Sequence, residues 1–211
     1  DAKLGLIYLS ANDGHIYVAP VEGGIAKRIT HNSSRYHFLH CVSPDCATLA
    51  FVEIPRADLS IPGRLALISS AGGETWYLDA GSSHLDGPEY SPDGAWLYFN
   101  TEEFGSRPGH AQLARMPAAG GHMERLVESE SVDWFPHLSP DGELASYISF
   151  PPGTLGHPAD LDVEVRVIRT TSWRDVVWRF TLFGGQGTIN VNSWSPDSRR
   201  LAFMAYPLEQ A

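Results

Sequence analysis

Imidazole, carboxylate and amide side chains recur just ahead of one turn motif in this chain, and any binding chemistry would sit there. Ser-Pro-Asp occurs four times, at Ser43, Ser91, Ser139 and Ser195. Counted back from each serine, the third position holds His40, Pro88, Pro136 and Asn192, and the fifth holds Phe38, Asp86, Trp134 and Asn190. His37, His84, Glu89, Asp133 and His137 lie close by. The frame stays constant while the residue type varies sharply, as on a rigid scaffold that carries a site. Imidazole and carboxylate suit zinc or manganese, and with amides they can also hold a polar ligand. His40, Asp86, Trp134, His137, Asn190 and Asn192 are therefore the candidate ligand-binding residues. A divalent metal on His40, Asp86 and His137 is one form the site could take. A hydrated channel, with Asn and His tying neighbouring units together, is the other reading. His40 and His137 precede their serines by three and two residues. Strand alternation sends such positions to opposite faces, so one of the two is expected at an interface between units. Asp86 is expected to be the most accessible acid of the group.

Other features are weaker. Gly184-Gly185-Gln186-Gly187 is glycine-rich, but no helical pattern follows, so it is not a phosphate loop. It reads as a long connection whose tip, Gln186, lies near the channel mouth. His157, Asp160 and Asp162 fall in a loop stiffened by Pro151, Pro152 and Pro158, an Ω-type excursion. No Gly-x-Ser-x-Gly elbow is present. The Ser-Pro-Asp serine recurs in every unit, as structural parts do.

The elements that must position these residues follow from spacing. The four Ser-Pro-Asp motifs are 48, 48 and 56 residues apart. A second marker, Gly23-Gly24, Gly72-Gly73 and Gly120-Gly121, keeps steps of 49 and 48. In the Pro-Asp-Gly form of the turn Pro presets its φ, Asp bonds its own backbone and Gly takes the left-handed position. Apolar alternating runs such as Leu49-Ala50-Phe51 and Leu97-Tyr98-Phe99 follow. One unit reads strand, Ser-Pro-Asp turn, strand, loop, strand, Gly-Gly turn, strand. Four antiparallel strands in about 45 residues make one propeller blade. The expected fold is all-β, a β-propeller with almost no helix.

The Ser-Pro-Asp-Gly motif followed by a short apolar strand resembles the WD40-like repeat of the TolB-like propellers, and the resemblance spans nearly the whole chain. Trp134-Phe135-Pro136-His137, Gly156-His157-Pro158-Ala159-Asp160 and Gly184-Gly185-Gln186-Gly187-Thr188-Ile189-Asn190 look like segments of a small bacterial subgroup of that family. The resemblance implies a six-bladed ring and a binding or interaction module, with a protein or small polar ligand at the channel mouth. The helical N-terminal domain of TolB has no counterpart here. Some sugar or uronate lyases built on seven-bladed propellers are similar in repeat and in histidines near the channel. A carbohydrate-active lyase or hydrolase, with a His-lined and metal-dependent site, is therefore the alternative.

Residues 1–211 read as a single propeller domain. Asp1-Ala2-Lys3-Leu4 matches Asp141-Gly142-Glu143-Leu144, so Asp1 takes the Asp position of a turn and the chain starts inside a blade. About four to five blades are expected, and a six-bladed ring would need roughly 70 further residues upstream. The formal net charge is −10, from 15 basic and 25 acidic residues. That balance, with no basic run, argues against nucleic acid as a partner. No apolar stretch reaches the 18 residues of a membrane span, so no membrane insertion is expected. Cytoplasmic and periplasmic locations both stay open. Cys41 and Cys46 flank the first turn, where a disulfide would be geometrically demanding, so free thiols are expected.

Overall fold

The structure, a computed structural model, describes residues 4–207. Among them there is no helix, and fifteen strands form antiparallel sheets of blade size. The first sheet contains β1 (Leu6–Ser10), β2 (Ile16–Pro20) and β3 (Lys27–Arg28). The second contains β4 (Arg35–Val42), β5 (Thr48–Pro55), β6 (Arg64–Ser69) and β7 (Thr75–Tyr77). The third contains β8 (Leu85–Tyr90), β9 (Trp96–Thr101), β10 (Gln112–Pro117) and β11 (Glu124–Arg125). The fourth contains β12 (Val132–Leu138), β13 (Leu144–Phe150), β14 (Leu161–Arg169) and β15 (Ser172–Gly184). Beyond them an antiparallel bridge pairs Trp194 with Leu201 across the fourth Ser-Pro-Asp turn. This is the expected all-β propeller, with each turn between the strands assigned to it. The expectation placed on Asp1 lies outside the described residues.

The turn chemistry is the same in all four copies. The serine hydroxyl donates to the aspartate Oδ1 at 2.5–2.6 Å. It accepts the N–H five residues on at 2.9–3.0 Å. The aspartate accepts the N–H two residues on at 3.0–3.1 Å. The residue after Asp is left-handed everywhere, at φ 73° for Gly94 and Gly142 but also 63° for Cys46 and 59° for Ser198. Backbone that would otherwise need water is thus satisfied inside a five-residue turn.

Apolar faces meet between successive blades. Ile16, Ile29, Leu49 and Phe51 join the first sheet to the second. Val52, Leu65, Leu97 and Phe99 join the second to the third, and Tyr98, Leu113, Tyr147 and Ile168 the third to the fourth. Each such side chain, once fully buried, contributes roughly 1.5–3 kcal/mol. Two interfaces also bury polar groups. His15 and His37 stack at 5.3 Å between the first two sheets, and His37 Nδ1 donates to Gly14 O at 2.8 Å. Between the last two sheets Asp133 accepts from Ser149 and Ser129 at 2.6 and 2.7 Å. Burial pushes the Asp133 carboxyl above its usual range despite those hydrogen bonds and nearby Arg166.

The innermost strands are not regular. Pairing shifts register between Leu39 and Cys41, between Asp86 and Glu89, and between Trp134 and His137. The same place in three blades carries a β-bulge, which re-aims the side chains around it.

Candidate functional site

The bulges decide which side chains meet. At Gly87 φ is +63° and at Phe135 +54°. A Cβ on Gly87 would stand 2.8 Å from Phe135 Cδ1 and 3.2 Å from Asn100 Oδ1, so both conformation and crowding require glycine there. Asn100 Oδ1 accepts the Phe135 N–H at 3.2 Å, fastening the third blade to the bulge of the fourth.

Around these bulges His40 and Asp86 come together. His40 Nε2 lies 2.8 Å from Asp86 Oδ1, with 15% and 18% of the two side chains exposed. The oxygen stands off the N–H direction, so this is an ion-pair contact and not an aligned hydrogen bond. The Gly87 N–H donates to the same oxygen at 2.9 Å. A second imidazole arrives from the β13–β14 loop, with His157 Nε2 3.8 Å from Asp86 Oδ2. His157 Nδ1 donates to Gln186 Oε1 from the loop after β15. The His157 ring lies 4.5 Å from Trp134 and 5.1 Å from Phe135, centroid to centroid. His40 stacks on Phe135 at 6.4 Å, and His84 tilts against Trp134 at 5.7 Å. Burial works against the Asp86 charge, but the contact with His40, the Gly87 amide and His157 outweigh it. The carboxyl is held below its usual range and is an anion at neutral pH.

The other predicted residues make different contacts. His137 is buried, with Nδ1 2.6 Å from Glu89 Oε2 and Nε2 2.6 Å from Ile189 O. A carbonyl can only accept, so Nε2 keeps its proton, and a further proton is shared between Nδ1 and Glu89. Glu89 Oε1 also accepts from Leu138 N at 2.7 Å and from Asn192 Nδ2 at 2.8 Å. Asn192 Oδ1 accepts the Trp194 N–H at 3.0 Å. His137 and Asn192 thus tie blades together around Glu89. Asn190 Oδ1 accepts from Gly187 N at 2.9 Å and closes its own loop. Trp134 is fully buried and forms the floor beneath His157.

The metal-ligand set His40, Asp86 and His137 therefore does not form, because both His137 nitrogens are engaged by Glu89 and Ile189. Among the described residues no group of three or more His, Cys, Asp or Glu is arranged to hold a metal ion. Cys41 and Cys46 are free thiols, and burial pushes the Cys41 thiol far up, away from thiolate chemistry.

A cavity of about 550 Å³ is lined by His40, Glu89 and Asn192. Pro44, Pro92, Pro140 and Pro196, one from each Ser-Pro-Asp turn, line it too, with Tyr90 and Trp194. Of the acids considered, Asp86 has 18% of its side chain exposed, against 10% for Glu89 and none for Asp133. Sequence reasoning missed His157 as a neighbour of Asp86 and Glu89 as a hub. The length of the proline-stiffened loop signalled the first. The second had no signal beyond a carboxylate two residues before a serine.

No protein-family model matches the chain. Over 195 residues, 92% of its length, it is 38% identical to an uncharacterised protein of Agrobacterium fabrum, and it spans 63% of that relative. It superposes on the structure of a protein from Agrobacterium tumefaciens provisionally designated TolB with TM-score 0.85 and 33% identity. That match covers 97% of this chain and 72% of the other. TolB from Acinetobacter baumannii superposes with TM-score 0.70 at 17% identity, over 93% of this chain and 45% of the other, a likeness of fold alone.

Proposed function

The chain belongs to the TolB-like β-propeller family, and from that membership we propose that it works as a binding module. A small polar ligand or a segment of a partner protein engages the axial face through His40 and Asp86. The observation that carries this reading is the convergence of His40, Asp86 and His157 from three different blades onto one partly exposed anionic point. Here a buried-side carboxylate is kept charged and two imidazoles face it, while the cavity begins beside His40. A preformed concavity with a few convergent polar groups is the usual form of a ligand site.

The test is capture of partners from a bacterial lysate, together with a thermal-shift screen of small polar compounds. Wild type, His40→Gln and Asp86→Asn are compared. The expected result is a ligand or partner retained by wild type and lost by Asp86→Asn, with the melting temperature nearly unchanged. Retention by both variants would sink the assignment. A carbohydrate-acting enzyme with a metal centre is the weaker reading, because His137 is committed to Glu89 and Ile189. Stoichiometric zinc or manganese in the purified protein, lost in His40→Gln, would reverse that order.

A further inference from the structure

The neighbourhood of Asp86 has the composition of a slot for a positively charged group, and His157 already occupies it. Its walls are the Trp134 and Phe135 rings, and its end is the Asp86 carboxylate. Aromatic faces carry negative quadrupole density, and a cation over them gains further when a carboxylate stands at one end. The acidic end of the site is the Asp86 carboxylate, which His40 touches from one side at 2.8 Å, and the whole chain carries −10. That field draws cations toward the site and repels anions.

His157 fits the slot imperfectly. Its Nδ1 proton is directed to Gln186 Oε1, so in the neutral ring Nε2 turns a lone pair toward Asp86 Oδ2 at 3.8 Å. Two electron-rich atoms then face each other. A guanidinium or ammonium would place N–H donors there and would satisfy the carboxylate better. His157 also reaches the slot from a loop, on a segment carrying left-handed glycines at Gly153 and Gly156. Trp134 and Phe135, by contrast, are set in the inner strand β12. The wall is therefore built in and the occupant is the replaceable part.

Resting on the binding-module reading above, we infer that the ligand of this site presents a cationic group, guanidinium or primary ammonium. The His157 imidazole is its intramolecular stand-in and competes with it for the space between Trp134, Phe135 and Asp86.

Calorimetric or NMR titration with N-acetyl-arginine amide, and with its uncharged isostere N-acetyl-citrulline amide, tests this on the full chain. Wild type, His157→Ala and Asp86→Asn are compared after their melting temperatures show that each is folded. The arginine probe is expected to bind and the citrulline probe to bind at least tenfold more weakly. His157→Ala is expected to strengthen arginine binding roughly tenfold, about the worth of one cation–π contact released to the ligand. Asp86→Asn is expected to weaken it by a similar factor. Equal binding of both probes, or weaker arginine binding in His157→Ala, overturns the proposal. If the capture experiment finds an Asp86-dependent ligand without positive charge, the ligand class is wrong and the binding-module reading stands. If no Asp86-dependent binding of any kind is found, both fail.

Discussion

Replacing Glu89 by methionine and by glutamine separates two ways in which a buried acid can hold blades together. Glu89 is 8% exposed and serves three donors from other blades: Leu138 N at 2.7 Å, Asn192 Nδ2 at 2.8 Å and His137 Nδ1 at 2.6 Å. Methionine matches its length but accepts nothing, so all three donors lose their partner while water stays excluded. Removing one member of a buried, hydrogen-bonded charge group costs about 3–5 kcal/mol. In a chain of this size each kcal/mol moves the melting temperature by about 2–4 °C, so Glu89→Met should melt roughly 6–20 °C lower. Glutamine keeps an oxygen for Leu138 and Asn192. Its amide nitrogen can donate to His137 Nδ1 while Nε2 keeps its proton for Ile189 O. Only charge assistance is lost, about 1 kcal/mol, or roughly 2–4 °C. Circular-dichroism melts of the three proteins read the difference directly. If methionine melts no lower than glutamine, the hub does not fasten the blades. If glutamine falls as far as methionine, the negative charge matters and the inventory of hydrogen bonds does not.

The turns and the first interface yield further expectations. Cys46 occupies at φ 63° the place that glycine takes at φ 73° in two other blades. Cys46→Gly should stabilise the chain by about 1 kcal/mol, read as a higher urea midpoint, and an unchanged or lower midpoint would contradict the turn assignment. His15 is 3% exposed; burial, and then the charge of the stacked His37, push its imidazole below the usual value of about 6.5. The unfolded chain therefore binds the extra proton first. Stability is fully present above about pH 6.5 and is lost as pH falls from there toward the folded value. Denaturant titrations across that window should slope less in His15→Gln, and an unchanged slope would assign the acid sensitivity to other groups.

The frame of this molecule was legible because it is made by local chemistry. A Ser-Pro-Asp turn satisfies its own backbone within five residues, so wherever the triplet occurs the hairpin follows. This holds even with Cys46 or Ser198 forced into the position glycine prefers. Blade order followed from the period alone. The site was only partly legible, and the reason lies in three inner strands. Counting back from each serine assumes an unbroken two-residue alternation, but register slips just there, past Leu39, Asp86 and Trp134. Those slips turn His40 to Asp86 while leaving His137 beneath Glu89, although the two histidines differ by one position in the repeat.

The same slips explain why the proposed binding residues and the blade-locking residues are interleaved and not segregated. A bulge leaves a backbone group for a side chain to satisfy, as Asn100 of the neighbouring blade does for Phe135 and Asp86 of the same strand does for Gly87. Where the partner comes from the neighbouring blade, the inner strand is tied to it at the level where it also presents a variable side chain. Substitution at His40 or Asp86 changes what the axis offers, because their side chains keep partial exposure. Substitution at Glu89 or His137 changes whether the blades stay together, because theirs are almost wholly enclosed by partners. A repeat of this kind can alter its ligand by changing one residue per blade, provided that the residues seated on the interface side of each bulge are kept.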